Sequence, residues 1–222
     1  MKGEVHSARR HDSALKHTTG QALYIDDMPE PPGTLHAALV LSPVASGRLI
    51  KLDLSAARAM PGVVAVLGPD DIPGKNDVSA NHHGEPLFAW ERVEFAGQPL
   101  AMVVARSLDA ARHAAERVRA DIETDEPILD IETALARQAY VREPATIRRG
   151  EPEQAIASAP HKLSAEFGVG GQEHFYLEGQ IAFALPGEDG DMVVHSSTQH
   201  PTEVQHICAR LLGCDYNRIT AV

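Results

Sequence analysis

The amino-acid sequence predicts an α+β fold, and three observations carry that prediction. Two passages, at residues 34–67 and 100–124, each run from an apolar strand through a short helix to a second strand. A polar stretch at 131–160 is broken by Pro144, Pro152 and Pro160. From His161 strand-like runs return, ending in a helix with an apolar stripe.

Each element has a local reason. Asp26 to Gly33 is a loop, because its prolines forbid a helix. Thr34 to Leu41 is an apolar run of strand length. Ser55 is placed as the N-cap of a short helix over Ala56 to Met60, which Pro61-Gly62 ends. Val63 to Leu67 is β-branched and extended. Asp70 to Phe88 is irregular, with Pro73-Gly74 and Asn81-His82-His83-Gly84 as turn formers. After a turn at Gly97-Gln98-Pro99, Leu100 to Ala105 is apolar throughout, the mark of a strand buried on both faces. Ser107 caps a helix reaching Val118, and Asp121 to Thr124 is a strand.

The connector holds two weak helices, Glu132 to Arg137 and Glu153 to Ser158. Beyond it, strands are expected at His161 to Gly168, Gln180 to Leu185 and Asp191 to Ser196, with a turn at Gly187 to Gly190. Pro201 opens a helix whose stripe is Val204, Ile207, Cys208, Leu211 and Leu212, and Gly213 stops it. Arg218 to Val222 begins a further strand. The expected domains are residues 1–130, a connector at 131–160, and the start of a second domain at 161–222. An apolar end in mid-strand reads as a truncated or split gene product.

Composition excludes several classes of function. The 222 residues are 43% hydrophobic and 23% charged, which suits a packed domain. A formal net charge of -11 opposes nucleic-acid binding. No apolar run is long enough for a membrane span, and no secretory signal opens the chain. Cys208 and Cys214 fit no zinc or iron-sulfur spacing; Cys208 is expected as a buried free thiol, consistent with the cytoplasm.

The most distinctive stretch for chemistry is Gly170 to Gln180 (GGQEHFYLEGQ). Its glycines let a ligand approach the backbone, and Gln172 is a donor without charge. Strand alternation would set Gln172, His174 and Tyr176 on one side and Glu173, Phe175 and Leu177 on the other, too few ligands for a metal shell. Two readings stay open from the residues alone: a catalytic segment, or a turn with buried polar groups. Of the other histidines, His6, His11, His17, His82, His83, His195, His200 and His206 read as solvated or structural. Ser196-Ser197-Thr198 lacks the glycines of a nucleophile elbow.

Gly171-Gln172-Glu173-His174-Phe175-Tyr176-Leu177-Glu178 resembles the signature of the molybdenum hydroxylases in its xanthine dehydrogenase form. Ser197 to Gln205 resembles the strand-to-helix passage that follows it. His17 to Asp27, Pro61 to Val66 and Gly97 to Leu100 resemble segments of the same subunit, in the same order, and the spelling favours bacterial split-subunit enzymes. The resemblance implies an α/β hammerhead domain over about residues 1–130, followed by the truncated start of the molybdopterin-binding domain. It implies that Gln172 is the one cofactor-binding and metal-site residue present, its amide bonding an oxo ligand of molybdenum. It implies hydroxylation of hypoxanthine and xanthine to urate, with electrons leaving through iron-sulfur clusters and FAD on a partner subunit, in an oligomer. No catalytic residue is assigned, because the general-base glutamate of the family is expected beyond Val222; these residues alone are then expected to be inactive. An aldehyde oxidase, another N-heterocycle hydroxylase, or a scaffold module without redox chemistry are the competing readings.

Overall fold

The computed structural model describes residues 7–80 and 84–222. In chain order its elements are α1 (Ala14–Thr19), β1 (His36–Leu41), β2 (Gly47–Asp53), α2 (Ser55–Arg58), β3 (Val63–Leu67), β4 (Arg92–Val93), β5 (Pro99–Ala105), α3 (Leu108–Ala115), β6 (Arg119–Thr124), α4 (Ile131–Ala136), α5 (Pro152–Ser158), β7 (Ala182–Pro186), β8 (Met192–Ser196), α6 (Pro201–Leu212) and β9 (Ile219–Ala221). The mixed helix and sheet content is that of an α+β fold. The chain divides into two compact units, one of residues 1–125 with Leu177–Val222, the other Glu126–Tyr176.

The larger unit holds three small sheets, ordered β1-β5-β3, β4-β2-β6 and β7-β8-β9. In the first, β5 pairs antiparallel on both sides. That central place explains its unbroken apolar sequence: Leu100, Ala101, Val103 and Ala105 are all buried. Helix α3 packs over β1 and β5 through Ala111 and Ala114, whose small side chains permit a close approach. The core formed here takes in Val40, Ala57, Val66, Leu100, Val103 and Ala114, with Leu52 and Ile122 from the second sheet packed against it. Each fully buried valine or leucine in such a core contributes about 1.5–3 kcal/mol.

Buried polar groups are satisfied locally. Gly97 takes φ +86, and the turn it forms buries Gln98, whose Oε1 accepts the Glu94 N–H at 2.8 Å. Within the irregular 70–88 segment, Asn76 clamps Phe88: its Nδ2 donates to the Phe88 carbonyl at 2.7 Å and its Oδ1 accepts the Phe88 N–H at 3.0 Å.

In the third sheet β7 and β8 form an antiparallel hairpin, and β9 returns parallel to β8 through α6. Val194, Ala209 and Ile219 are its core. Pro201 stands in the first turn of α6, and Gly213 closes it at φ +67, both as the sequence predicts. The 73–79 segment then caps this helix. The Gly74 and Lys75 N–H groups donate to the Leu211 and Arg210 carbonyls at 2.8 and 3.0 Å. A Cβ on Gly74 would lie 2.1 Å from the Arg210 carbonyl oxygen, so the contact requires glycine. The Arg210 guanidinium donates to the Ser79 carbonyl at 2.8 Å and pairs with Asp77.

Several expectations change. Ser55 is not an N-cap. Leu54 holds that position, and the Asp53 carboxylate accepts both the N–H and the hydroxyl of Ser55, at 3.0 and 2.6 Å. These bonds, the hydroxyl's first, hold the Asp53 carboxyl below its ordinary range. Ser107 does cap α3, accepting from Ala110 N–H at 3.2 Å. That helix ends at Ala115 rather than Val118, because Arg117 and Val118 donate three residues back and tighten the last turn. Strand β2 went unread, since a register shift between Leu49 and Lys51 breaks its alternation and leaves Ile50 exposed. Helix α1 also went unread; it buries no residue, so it carries no apolar stripe.

Candidate functional site

The segment that the sequence marks for chemistry is not a strand. His161 to Gly168 has no regular structure, and residues 161–177 are all exposed. A strand needs a neighbour to take its hydrogen bonds, and none pairs here. Phe175 adopts φ +53, in the left-handed region, with its N–H donated to Glu173 Oε1 at 3.3 Å. The two-faced alternation expected of Gln172, His174 and Tyr176 against Glu173, Phe175 and Leu177 is therefore replaced by a looped backbone.

Gln172 lies on this loop with its side chain in the open. Its Nε2 donates to the Gly171 carbonyl at 3.3 Å, a contact within the loop itself. A Cβ on Gly168, Gly170, Gly171 or Gly179 would meet nothing within 4 Å. The glycines are thus not demanded by the packing of the described residues, and the backbone beside Gln172 is open to an approaching group. A neutral amide with a second N–H to offer suits an anionic oxygen, which it can bind without displacing a metal ligand. This is the donor chemistry that an oxo-bearing cofactor would use, and Gln172 fits it.

Glu178 has a different task. Its Oε1 accepts the Ile25 N–H at 2.9 Å, across 153 positions of sequence. Ile25 is the first residue of a 3-10 turn, Ile25–Asp27, so its N–H has no partner within that turn. Nothing in the local spelling of residues 170–180 gives Glu178 this task. A long-range bond to a backbone N–H leaves no trace in local pattern.

The segment Ser197 to Gln205 turns the chain from β8 into α6. Ser197 closes the hairpin, accepting the Ile181 N–H on its hydroxyl at 3.1 Å and donating its own N–H to the Ile181 carbonyl at 3.1 Å. Thr198 Oγ1 accepts the His200 N–H at 3.0 Å.

The other candidates take local places. His11 Nδ1 accepts the Ser13 N–H at 3.2 Å, His195 stacks on Phe183, and His206 stacks on Tyr216 with ring centroids 4.3 Å apart. The His17 ring is tilted against Tyr24. His6, His82 and His83 lie outside the described residues. Among the described residues no group of three or more His, Cys, Asp or Glu side chains gathers as a metal shell. An open hollow of about 480 Å³ is lined by Ser79, His200, Glu203, His206 and Arg210 among others, and by no residue of the 170–180 segment. Cys208 and Cys214 are free thiols, and Cys208 is half-buried rather than buried. Loss of hydration, then the neighbouring Cys214, pushes its thiol up.

Comparison with known proteins converges on one family. Residues 19–126 match the model described as "Aldehyde oxidase and xanthine dehydrogenase, a/b hammerhead domain", and residues 134–222 match the "Molybdopterin cofactor-binding domain". The chain is 40% identical to aldehyde oxidase 4 of Cavia porcellus over 211 residues, 94% of this chain and 15% of the relative. It is 39% identical to xanthine dehydrogenase of Emericella nidulans over 217 residues, 95% of this chain and 16% of the relative. It superposes on the aldehyde oxidoreductase of Desulfovibrio gigas with a TM-score of 0.80 at 29% identity, over 95% of this chain and 26% of that one. The quinoline 2-oxidoreductase of Pseudomonas putida 86 gives 0.78 at 25% identity, over 95% of this chain and 29% of that one. The chain thus spans about a sixth of the length of these curated relatives.

Proposed function

The chain belongs to the molybdenum hydroxylase family of aldehyde oxidases and xanthine dehydrogenases, and from that premise we propose that it is the N-terminal portion of the molybdenum-cofactor subunit of a xanthine dehydrogenase. Its first domain is the a/b hammerhead, followed by the start of the molybdopterin-binding domain. In this reading the boundaries fall near residues 130 and 160, hypoxanthine and xanthine are oxidised to urate, and electrons leave through iron-sulfur and FAD centres of a partner subunit in the cytoplasm.

The observation that carries the reading is Gln172. It sits in a glycine-flanked open loop, within the segment of signature spelling, with an uncharged donor directed to no distant partner. When bound, the molybdenum cofactor supplies the redox chemistry and the oxygen transferred to substrate. The part of this chain is to hold an oxo group of that cofactor by the Gln172 amide, which neither carries charge nor competes for the metal. A donor fixed in advance at such an oxygen stabilises charge without having to reorganise. The xanthine assignment rests on the spelling of residues 171–178.

A second reading, an aldehyde oxidase or another N-heterocycle hydroxylase, is favoured by the equal similarity of the chain to aldehyde oxidase 4. Dye reduction by the full-length subunit co-expressed with its partners separates the two. Molybdenum-dependent turnover of xanthine, lowered about 100-fold by Gln172→Ala, supports the proposal. Bound molybdenum with turnover of aldehydes or quinolines but not of xanthine moves the substrate to the second reading. Loss of neither metal nor turnover in Gln172→Ala removes Gln172 from the site.

A further inference from the structure

A helix ends with its last carbonyls lacking partners inside it. The C-cap of α6 answers one of them: the Gly213 and Cys214 N–H groups both donate to the Ala209 carbonyl. The next two carbonyls, of Arg210 and Leu211, accept from Lys75 and Gly74 at 3.0 and 2.8 Å. These donors lie in the region that matches the hammerhead, whereas α6 lies in the region that matches the molybdopterin-binding domain. Both belong to the same compact unit. The Arg210 guanidinium makes the return contact. It donates to the Asp77 and Ser79 carbonyls at 3.3 and 2.8 Å, across 133 and 131 positions, and stands 3.7 Å from the Asp77 carboxylate. The side chains of that ion pair are only 21% and 15% exposed, so salt screens it little.

The donor segment is itself fastened to its own domain. Val78 donates its N–H to the Glu85 carbonyl at 2.8 Å, and Asn76 bonds the buried Phe88 twice. Ala89 then donates its N–H to the Pro99 carbonyl at 2.9 Å, at the start of β5. A continuous run of bonds thus leads from the hammerhead core to the end of α6. The approach is closest at Gly74, where a Cβ would also meet the Gly213 nitrogen at 2.6 Å and the Leu211 oxygen at 2.8 Å. We infer that residues 73–79 are an assembly latch, through which the folded hammerhead supplies the C-terminal cap of α6 and so conditions the stability of that helix and of the strands β8 and β9 that it joins. The dependence runs one way. The hammerhead core, from Val40 to Ala114, contains no residue of α6, whereas α6 rests on a cluster of three buried side chains, Val194, Ala209 and Ile219. A twelve-residue helix with so small a core relies on what caps it.

The test is native-state amide exchange on the full-length subunit with its partners, followed in peptides covering 100–105 and 204–212; the readout needs neither molybdenum nor turnover. Arg210→Ala and Gly74→Ala are expected to speed exchange at 204–212 about tenfold while leaving 100–105 unchanged. Asn76→Ala is the decisive variant. The Asn76 side chain bonds Phe88, in its own domain, so fraying confined to the end of α6 would not register its loss. It should nevertheless speed exchange at 204–212 by a similar factor. The double variant Asn76→Ala/Arg210→Ala should exceed the stronger single one by less than about twofold, because both changes open the same contact. Unaltered exchange at 204–212 in Asn76→Ala, or factors that multiply in the double variant, would overturn the latch. Should a variant not fold, the wild-type subunit in rising urea decides the question. Protection at 204–212 should never outlast that at 100–105, and an α6 still protected after the hammerhead core has opened would refute the dependence.

Discussion

Residues 99–124 and residues 126–176 both carry apolar side chains along their length but are opposite in what they bury. The first stretch contributes Leu100, Ala101, Val103, Ala105, Ala111 and Ala114 to a closed core. The second buries none of its side chains, and Val141, Ile147, Leu163 and Phe167 stand open. Apolar residues stabilise a fold only where an element repeats them on one face and a neighbour covers that face. Strand β5 has sheet neighbours on both sides and α3 above it. The 126–176 segment has two short helices, α4 and α5, with no buried residue between them. Its α4 is started by a cap, in which Asp130 accepts the Thr133 N–H at 2.7 Å.

The contrast can be tested at four points of decreasing effect. Leu100→Ala empties a buried site and should cost about 2–5 kcal/mol in urea unfolding; a loss under about 1 kcal/mol would mean that the core relaxes around the cavity. Ser107→Ala removes the α3 cap and should cost about 1 kcal/mol, seen as a shift of the same transition. Leu163→Ala, in the open segment, should change stability by less than about 0.5 kcal/mol. A large loss there would show that this leucine is covered in solution, and so break the comparison. The smallest effect is one of pH. Bonds from the Thr133 backbone first, then its hydroxyl, hold the Asp130 carboxyl below the usual 3.8. A lowered folded value favours the ionised form, so the cap is intact above pH 3.8 and is lost as pH falls through the lowered value. Protection of the 131–136 amides, taken relative to their intrinsic exchange at each pH, should therefore fall with acid while that of 100–105 does not; parallel behaviour would mean that the cap contributes nothing of its own.

Much of the fold was legible because its signals are local. The apolar run of β5, the Ser107 cap, the Gly187–Gly190 turn and the Pro201-to-Gly213 frame of α6 each depend on residues a few positions apart. The readings that failed depend on partners. The 161–168 run has strand composition but no neighbour, and β2 hides behind its register shift. Ser55 does not cap, because Leu54 takes the N-cap position and the Ser55 hydroxyl is donated to Asp53.

The candidate site divides in the same way. Sequence by itself determined which residue types stand at 170–180, glycines beside the uncharged amide of Gln172, because residue identities and spacing are written there directly. Tertiary structure alone decided that the segment loops rather than extends, and that Glu178 reaches Ile25. It also decided that Gly74 must be glycine, because the carbonyl of Arg210 lies against it. These facts arise where residues distant in sequence share space, and a hydrogen bond across 153 positions has no local pattern from which to be read.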